Sequence, residues 1–158
     1  MTNRSANPIG LDALPGHYIR RLQQIAVAIF MQETAEFGVT PVQFAALQMV
    51  AHQPGLDQRT LARTIGFDTS TIAGVIDRLE TRGLMTRRPS PADRRVRLLS
   101  LTDQGQRLLA DVVPPMLRAQ QRMLEPLPSA QRDEFIRMLH VLVTANNEFS
   151  RAPSDSGS

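Results

Sequence analysis

The chain has 158 residues, a net charge of +3 and no cysteine. This length suits one compact domain, or one such domain with a helical dimerisation arm. The lack of cysteine excludes disulfides, thiolate metal sites and thiol-based redox sensing. The N-terminal segment has no apolar run of signal-peptide length, and no stretch approaches the roughly 20 apolar residues that span a bilayer. We therefore expect a cytoplasmic protein without a membrane partner.

Positive charge is concentrated in one segment of the chain. Between Leu84 and Leu101 lie five arginines and one acid, Asp93, an excess of +4 that leaves the rest of the chain at −1. Attraction to phosphates depends on such a local excess more than on the total charge. The segment therefore indicates a nucleic-acid partner.

The sequence predicts six helices, each with a recognisable start. The predicted first or capping residues are, in chain order, Pro15, Thr40, Asp57, Asp68 or Thr69, Thr102 and Ser129. Thr40 is the strongest of these signals, because Pro41 and Gln43 follow it and complete a capping box. The first four helices are expected to end near Gly38, His52, Gly66 and Gly83. Pro114 and Pro115 should kink or split the fifth helix, because proline removes an amide donor and clashes with the preceding turn.

Two helices and a hairpin in the middle of the chain have the pattern of a DNA-reading unit. Ala62 is small where two helices would cross, Gly66 allows the tight turn between them, and Ile72 would pack the second helix back onto the first. Leu84–Arg88 and Val96–Leu101 alternate apolar and polar residues on either side of a loop rich in Pro and Arg. A wing that directly follows a helix-turn-helix is a much stronger signal than either part alone.

The outward face of the second helix of this pair is small, hydroxylated and lightly charged. Hydroxyls can bond base edges or phosphate oxygens, and wing arginines suit the negative potential of a narrow minor groove. Asp93 would repel phosphate, so its better role is to pair with a neighbouring arginine. The residues assigned to DNA binding are Thr69, Ser70, Thr71, Gly74, Arg78, Arg88, Asp93, Arg94 and Arg95. The alternatives are an ordinary polar helix surface and a solvated run of charge.

Three stretches carry a resemblance to a known family, namely RLETRGL at 78–84, DRR at 93–95 and LTDQG at 101–105. They resemble the multiple-antibiotic-resistance regulator (MarR) family, and the resemblance extends over about residues 15–149. The resemblance and the predicted elements agree on a mainly α fold with a small β-wing, in which a winged helix-turn-helix is joined to a helical dimerisation arm. The resemblance implies an obligate homodimer in which the first, fifth and sixth helices interlock.

The resemblance also implies roles within the wing, where Arg94 enters the minor groove while Asp93 and Arg95 brace it. The expected division of the chain is a winged helix-turn-helix at 40–101, a helical dimerisation region at 14–39 and 102–150, and flexible termini at 1–13 and 151–158. An apolar sixth helix independently favours a dimer, because its side chains need a partner surface. Two symmetric reading units would recognise a pseudo-palindrome with half-sites about 10 base pairs apart.

Members of the family that the chain resembles often release DNA on binding small anionic aromatic compounds between the arm and the reading unit. Here a guanidinium of the first helix is placed to grip a carboxylate, and side chains of the second helix would complete an aromatic slot. The predicted ligand-binding residues are His17, Tyr18, Arg20, Arg21, Gln24, Phe44, Leu47 and Gln48. The alternative is that these arginines are exposed or pair with acids of a partner subunit. The leading hypothesis is a DNA-binding transcriptional regulator, a repressor by resemblance, that an aromatic acid or its thioester releases.

Other functional classes have weaker support. His17, His52 and His140 have no ligand-spaced partners, so we expect structural histidines and no metal. No glycine-rich phosphate loop or nucleophile motif indicates an enzyme, and no cofactor is expected. The rival hypothesis is a winged-helix architectural DNA binder or a protein–protein adaptor without ligand control. Adaptors tend to expose aromatic anchors, whereas this chain has one Tyr and no Trp.

Overall fold

The structure is a computed structural model that describes residues 8–150. The elements are α1 (Pro15–Glu33), α2 (Pro41–His52), α3 (Gln58–Ile65), α4 (Thr69–Thr81), β1 (Met85–Pro89), β2 (Arg97–Leu101), α5 (Asp103–Leu124) and α6 (Ser129–Ala145). Short 3-10 helices lie at Leu11–Ala13, Ala35–Phe37 and Asn147–Phe149. The predicted fold class, mainly α with a small β-wing, is confirmed. No helix in the described range is long and apolar enough to span a membrane.

We call residues 40–101 the reading head. Its helices begin and end at residues whose local chemistry favours a helix boundary. Thr40 forms both bonds of its capping box: its hydroxyl accepts from the Gln43 amide at 3.2 Å, and its own amide donates to Gln43 Oε1 at 3.1 Å. Asp57 and Asp68 cap α3 and α4 through their carboxylates, which accept from the Thr60 and Thr71 amides. Gly66 follows α3 with a φ of 78°, a left-handed conformation that favours glycine, and turns the chain into α4.

Three predicted features need correction. α1 ends at Glu33, and a 3-10 turn then carries the chain towards α2. Ser129 is the first residue of α6 and not its cap; the cap position belongs to Pro128, and no side chain caps this helix. α5 runs unbroken through Pro114 and Pro115, so of the kink or split predicted for this pair, the split is wrong. α5 packs along α1, and this tertiary packing offsets the amide donors that the prolines remove.

The predicted flexible termini fall mostly outside the described residues. Residues 1–7 and 151–158 lie outside the range. Within it, Leu11–Ala13 forms a 3-10 turn against the start of α1, so this part of the predicted flexible N-terminus has regular structure.

Two apolar clusters form the core. The larger lies in the reading head and draws on α2, α3, α4, both strands and the first half of α5. The smaller joins the end of α1 to α5 through Phe30, Val39, Val112 and Ala119. No residue of α6 is buried. The two clusters meet at Phe44 and Leu108, which pack against both, whereas most apolar side chains of α6 remain exposed.

Candidate nucleic-acid interface

α4 presents the polar face that the helical period predicts. Ile72, Ile76 and Leu79 are buried on one side of this helix. Ser70 and Thr71 are exposed on the other side. α3 and α4 pack together across the Gly66 turn, which is the arrangement of a helix-turn-helix. The second helix of the pair is therefore free to lie in a groove of DNA.

Asp68 organises the hydroxyls at the start of α4. Its Oδ1 accepts from Ser70 Oγ and from the Thr71 amide, each at 2.7 Å, and its Oδ2 accepts from Thr71 Oγ1 at 2.8 Å. The hydrogen bond from Ser70, followed by those from Thr71, lowers the pKa of Asp68 to about 2. Both hydroxyl protons are thus donated to the carboxylate, and the hydroxyl oxygens keep lone pairs that can accept from a base edge. The sequence marks Asp68 as a cap but not as the partner of both hydroxyls.

The wing is an antiparallel hairpin braced at its tip. Its register pairs Met85 with Leu101 and Pro89 with Arg97. Asp93 accepts from the Arg95 amide at 3.0 Å and from the Arg95 guanidinium at 3.2 Å. These bonds hold the pKa of the Asp93 carboxyl below its usual value. The predicted pairing of Asp93 with a neighbouring arginine is therefore present.

Arg94 and Arg88 are exposed on this hairpin. Within residues 8–150, neither guanidinium has a hydrogen-bond or ion-pair partner. Their charge is consequently available to a phosphate or a minor groove. The sequence assigned both to DNA binding, and their contact with DNA stays a prediction.

Arg87 fastens the wing to α4 instead of facing outwards. Its Nη2 donates to Asp77 Oδ1 at 2.6 Å and to Glu80 Oε1 at 3.3 Å, and its Nη1 donates to Gln58 at 3.5 Å. The Arg87 side chain is only 24% exposed. The arginines of this segment thus divide into one that positions the wing and several that face solvent, a division that charge counting cannot make.

A cleft between α3, α4 and the wing contains two arginines that the sequence analysis missed. It has a volume of about 460 Å³ and is lined by Asp57, Gln58, Arg59, Thr69, Arg95, Val96 and Arg97. The missed residues are Arg59 at the start of α3 and Arg97 in β2. Their positive charge lies beside the start of α4, where a DNA backbone would pass if α4 entered a groove. Only the fold brings these arginines together, since they are far apart in the sequence.

The LTDQG stretch closes the base of the wing. Thr102 Oγ1 donates to the Gly83 carbonyl at 2.6 Å and accepts from the Gly105 amide at 3.0 Å. A Cβ at Gly105 would overlap the Leu84 carbonyl oxygen. The glycine of this stretch is therefore required by the close approach of α5 to the end of the helix-turn-helix.

The predicted ligand residues of α1 lie on two adjacent faces of the helix. Tyr18 and Arg21 line a cleft of about 530 Å³ between α1 and α6. His17, Arg20 and Gln24 share the neighbouring face at helical spacing, and the His17 ring meets the Tyr18 ring edge-on at 5.6 Å. The cleft floor is formed by apolar side chains of both helices.

The predicted ligand residues of α2 are not brought to this cleft. Leu47 is 1% exposed and packs in the core of the reading head, so its assignment to a ligand slot is corrected by its burial. Phe44 packs against Phe30 with ring centroids 6.0 Å apart. Gln48 lines a separate cleft of about 480 Å³ between α2, β2 and α5. One chain alone therefore does not assemble the predicted slot.

The three histidines stay apart in the fold. His17 lies near the start of α1, His52 ends α2, and His140 lies in α6. Among residues 8–150, no group of three or more His, Asp or Glu side chains is arranged to hold a metal ion.

Comparison with known proteins gives one family and a close relative in sequence. The sequence profile of the MarR family matches residues 39–96, which cover most of the reading head. The putative transcriptional regulatory protein for the hcr operon of Thauera aromatica is 36% identical over 134 residues, which are 84% of this chain and 81% of that protein.

Solved structures of regulators share the fold over nearly the whole described chain. The PcaV transcriptional regulator of Streptomyces coelicolor, in complex with its natural ligand, has a TM-score of 0.82 and 36% identity over 87% of this chain and 97% of that one. The repressor CouR, bound to a 23-mer DNA duplex, has a TM-score of 0.80 and 34% identity over 84% of this chain and 94% of that one. BpsR of Bordetella bronchiseptica, whose DNA binding is regulated by 6-hydroxynicotinic acid, has a TM-score of 0.81 and 31% identity over 85% of this chain and 96% of that one.

Proposed function

The chain belongs to the MarR family of transcriptional regulators, and from this premise we propose that it is a repressor that binds a palindromic operator as a homodimer. We propose further that a small anionic aromatic compound or its thioester releases it. The observation that carries the proposal is the cleft that Thr69 of α4 shares with Arg95 and Arg97 of the wing. It places the hydroxylated helix and the arginine-bearing hairpin side by side, as one duplex would require.

The proposed contacts are of two kinds: some read base edges, and others position the protein on the DNA backbone. The start of α4 enters the major groove, where Ser70 and Thr71 meet base edges, while Arg59 and Arg97 hold the backbone beside it. Arg94 projects from the wing into the adjacent minor groove, whose negative potential attracts an arginine. This division predicts that base changes under α4 alter specificity, whereas the backbone contacts set the dependence on salt.

The homodimer rests on apolar surface that one chain leaves uncovered. The exposed large apolar residues of α1 and α6 are Tyr18, Ile19, Ile25, Met31, Ile136, Met138, Leu139, Val141, Leu142 and Val143. Six of them line the same cleft between α1 and α6, and an exposed apolar patch of this kind marks an interaction surface. A second copy presents the same surface, and an isologous contact covers both patches at once while directing two reading heads to one duplex.

The effector site is proposed on α1. Among the described residues, neither Arg20 nor Arg21 has an ion-pair partner, so each guanidinium is available to a carboxylate. The apolar side chains of the adjacent α1–α6 cleft belong to the surface that the second copy is proposed to cover, so we propose that the aromatic ring lies at the edge of that contact. Within one chain, Phe44 packs against Phe30 and Gln48 lines a separate cleft, so neither reaches the α1 residues of the site. We therefore propose that residues of the partner chain complete it.

Selection from a pool of random duplexes tests the DNA-binding part. The wild-type protein should enrich a pseudo-palindrome with half-sites about one helical turn apart, and its affinity should fall steeply with salt. Enrichment of A·T-rich DNA without symmetry would favour the architectural binder instead. No enrichment at all would favour the adaptor and defeat the proposal.

Titration of the selected DNA complex tests the effector part. Free aromatic and heteroaromatic acids and their coenzyme A thioesters form separate arms of the titration. We expect release by one of these classes, weakened in Arg20→Ala or Arg21→Ala but not in Arg107→Ala, which removes an exposed arginine of α5. A full response in both α1 variants would contradict the proposed site.

A further inference from the structure

Arg82, at the cap position directly after α4, reaches across to the segment that leaves α1. Arg82 Nη1 donates to the Gly38 carbonyl at 2.9 Å, and Arg82 Nη2 donates to the Phe37 carbonyl at 3.0 Å. The two acceptors are consecutive carbonyls, which a planar guanidinium can engage together as a fork. Arg82 therefore holds the backbone of this segment in one orientation relative to the end of α4.

The acceptor segment belongs to the helical arm. Phe37 packs against the cluster that joins the end of α1 to α5. Gly38 follows with a φ of 60°, and the chain then enters α2 through the Thr40 cap. Any shift of the end of α1 relative to the reading head must therefore move the carbonyls that Arg82 holds.

The end of α1 is itself pinned to α5. Glu33, only 19% exposed, accepts from Arg122 at 2.8 Å and from Arg118 at 3.3 Å. These bonds, that of Arg122 first, hold the pKa of the Glu33 carboxyl below its usual value. A continuous set of contacts thus runs from α5 through the end of α1 to Arg82 and α4.

α4 otherwise packs within the reading head, against α2, α3 and β1. Two described side-chain hydrogen-bonding groups join the end of α4 to the arm: Thr102, which reaches the Gly83 carbonyl from the start of α5, and the fork of Arg82, which reaches the segment that leaves α1. In a dimer, the arm sets the distance between the two reading heads, so the angle of each α4 against its own arm sets the separation of the two reading surfaces.

We propose that Arg82 is a positioning residue that fixes α4 against the arm and thereby selects the separation of the operator half-sites. This inference rests on the proposed function, since it requires two reading heads on one duplex. It assigns Arg82 a role different from a phosphate contact, because its donors are directed at the Phe37 and Gly38 carbonyls. Lysine at this position keeps the charge but cannot form the fork.

The test uses the duplex that the full-length wild-type protein selects, together with two versions whose centre is one base pair longer or shorter. One base pair changes the half-site separation by roughly 3.4 Å and about one tenth of a turn, so the wild-type protein should prefer the selected spacing. We expect Arg82→Ala and Arg82→Lys to reduce this preference by about 3- to 10-fold, the scale of the net contribution of one hydrogen bond, with the salt slope unchanged. The matched control is Arg78→Ala, one turn earlier in α4, which should weaken all three duplexes alike and reduce the salt slope by about 1.

Three results would overturn the inference. The first is a preference for spacing that survives in Arg82→Ala, and the second is its full rescue in Arg82→Lys. A uniform loss of affinity with a smaller salt slope in Arg82→Ala would also overturn it, by making Arg82 a phosphate contact. If the wild-type protein selects no DNA, the proposed function fails and this inference falls with it, whereas the other outcomes leave the proposed function intact. Should Arg82→Ala fail to fold, Arg82→Lys alone decides the matter.

Discussion

At the scale of single residues, Gly74 and Gly105 form a matched pair for a test: both lie in helices, but only Gly74 has room for a side chain. An added Cβ would overlap the Leu84 carbonyl oxygen at Gly105 but meets nothing within 4 Å at Gly74. We expect Gly105→Ala to lower the free energy of unfolding by about 1–3 kcal/mol, because the backbone must move apart. Gly74→Ala should raise it by about 0.5–1 kcal/mol, because alanine favours a helix. Urea unfolding at one protein concentration measures both, and a Gly105→Ala protein as stable as the wild type would contradict the close approach.

The Asp68 cap of α4 predicts that the stability of the folded chain depends on pH. The hydrogen bonds from Ser70 and Thr71 lower the pKa of Asp68 from 3.8 to about 2 in the folded chain. Because the folded pKa is the lower one, the stabilisation is present above the unfolded pKa and is lost as the pH falls towards the folded one. Relative to Asp68→Asn, whose amide does not titrate there, the wild-type protein should lose thermal stability between about pH 5 and pH 2.5. A difference in melting temperature that stays constant over this range would show that the hydroxyls do not bond the carboxylate.

At the scale of elements, the sequence predicts those helix boundaries that are set by residues close together in the chain. Thr40, Asp57 and Thr102 each cap a helix through an amide three residues on, so the start of the helix is visible in a short window. The passage of α5 through Pro114 and Pro115 is not, because it depends on packing against a helix from another part of the chain. The end of α1 is missed for another reason: apolar residues continue past Glu33 to Phe37, so the sequence pattern does not separate the 3-10 turn at Ala35–Phe37 from a further turn of α-helix.

In the candidate site, too, features set by local sequence could be predicted, whereas contacts between distant residues could not. Exposure of Ser70 follows from the helical period of the buried stripe in α4. The partners of Arg82 lie 44 and 45 residues away in the chain, and no local pattern indicates them. The predicted ligand slot joins α1 to α2, and the burial of Leu47 shows why a helical pattern alone cannot tell a slot from a core.

Arg87 gives a prediction for the wing as an element. The Arg87→Met substitution removes the hydrogen bonds from β1 to Asp77 and Glu80 of α4. It also leaves these two acids without a compensating charge near the proposed DNA. We expect faster hydrogen exchange at the β1 and β2 amides and weaker DNA binding, although Arg87 itself does not face the duplex. Arg88→Met, which changes an exposed neighbour, should weaken DNA binding while leaving amide exchange unchanged. Equal exchange rates in the two variants would show that the wing does not depend on Arg87.

At the scale of the whole molecule, the uncovered face of α6 predicts the oligomeric state. The wild-type protein should have twice the chain mass of 17.6 kDa in solution. A charge placed in the apolar face by Leu142→Glu should shift it to a single chain, because an unpaired carboxylate is costly to bury. Gln131→Glu, which adds the same charge at an exposed polar position of α6, should remain a dimer. Light scattering on a sizing column measures the mass, and a monomeric wild-type protein would remove the basis for two reading heads.

In the proposed complex, two copies of α4 lie in successive major grooves while an Arg94 from each copy enters the adjacent minor groove. Hydroxyl-radical footprinting of the selected duplex tests it most directly, since the radical attacks sugars through the minor groove. We expect a pattern symmetric about the centre of the duplex, with two flanking protected stretches that disappear in Arg94→Ala. A one-sided pattern, or flanking protection that survives in Arg94→Ala, would contradict it.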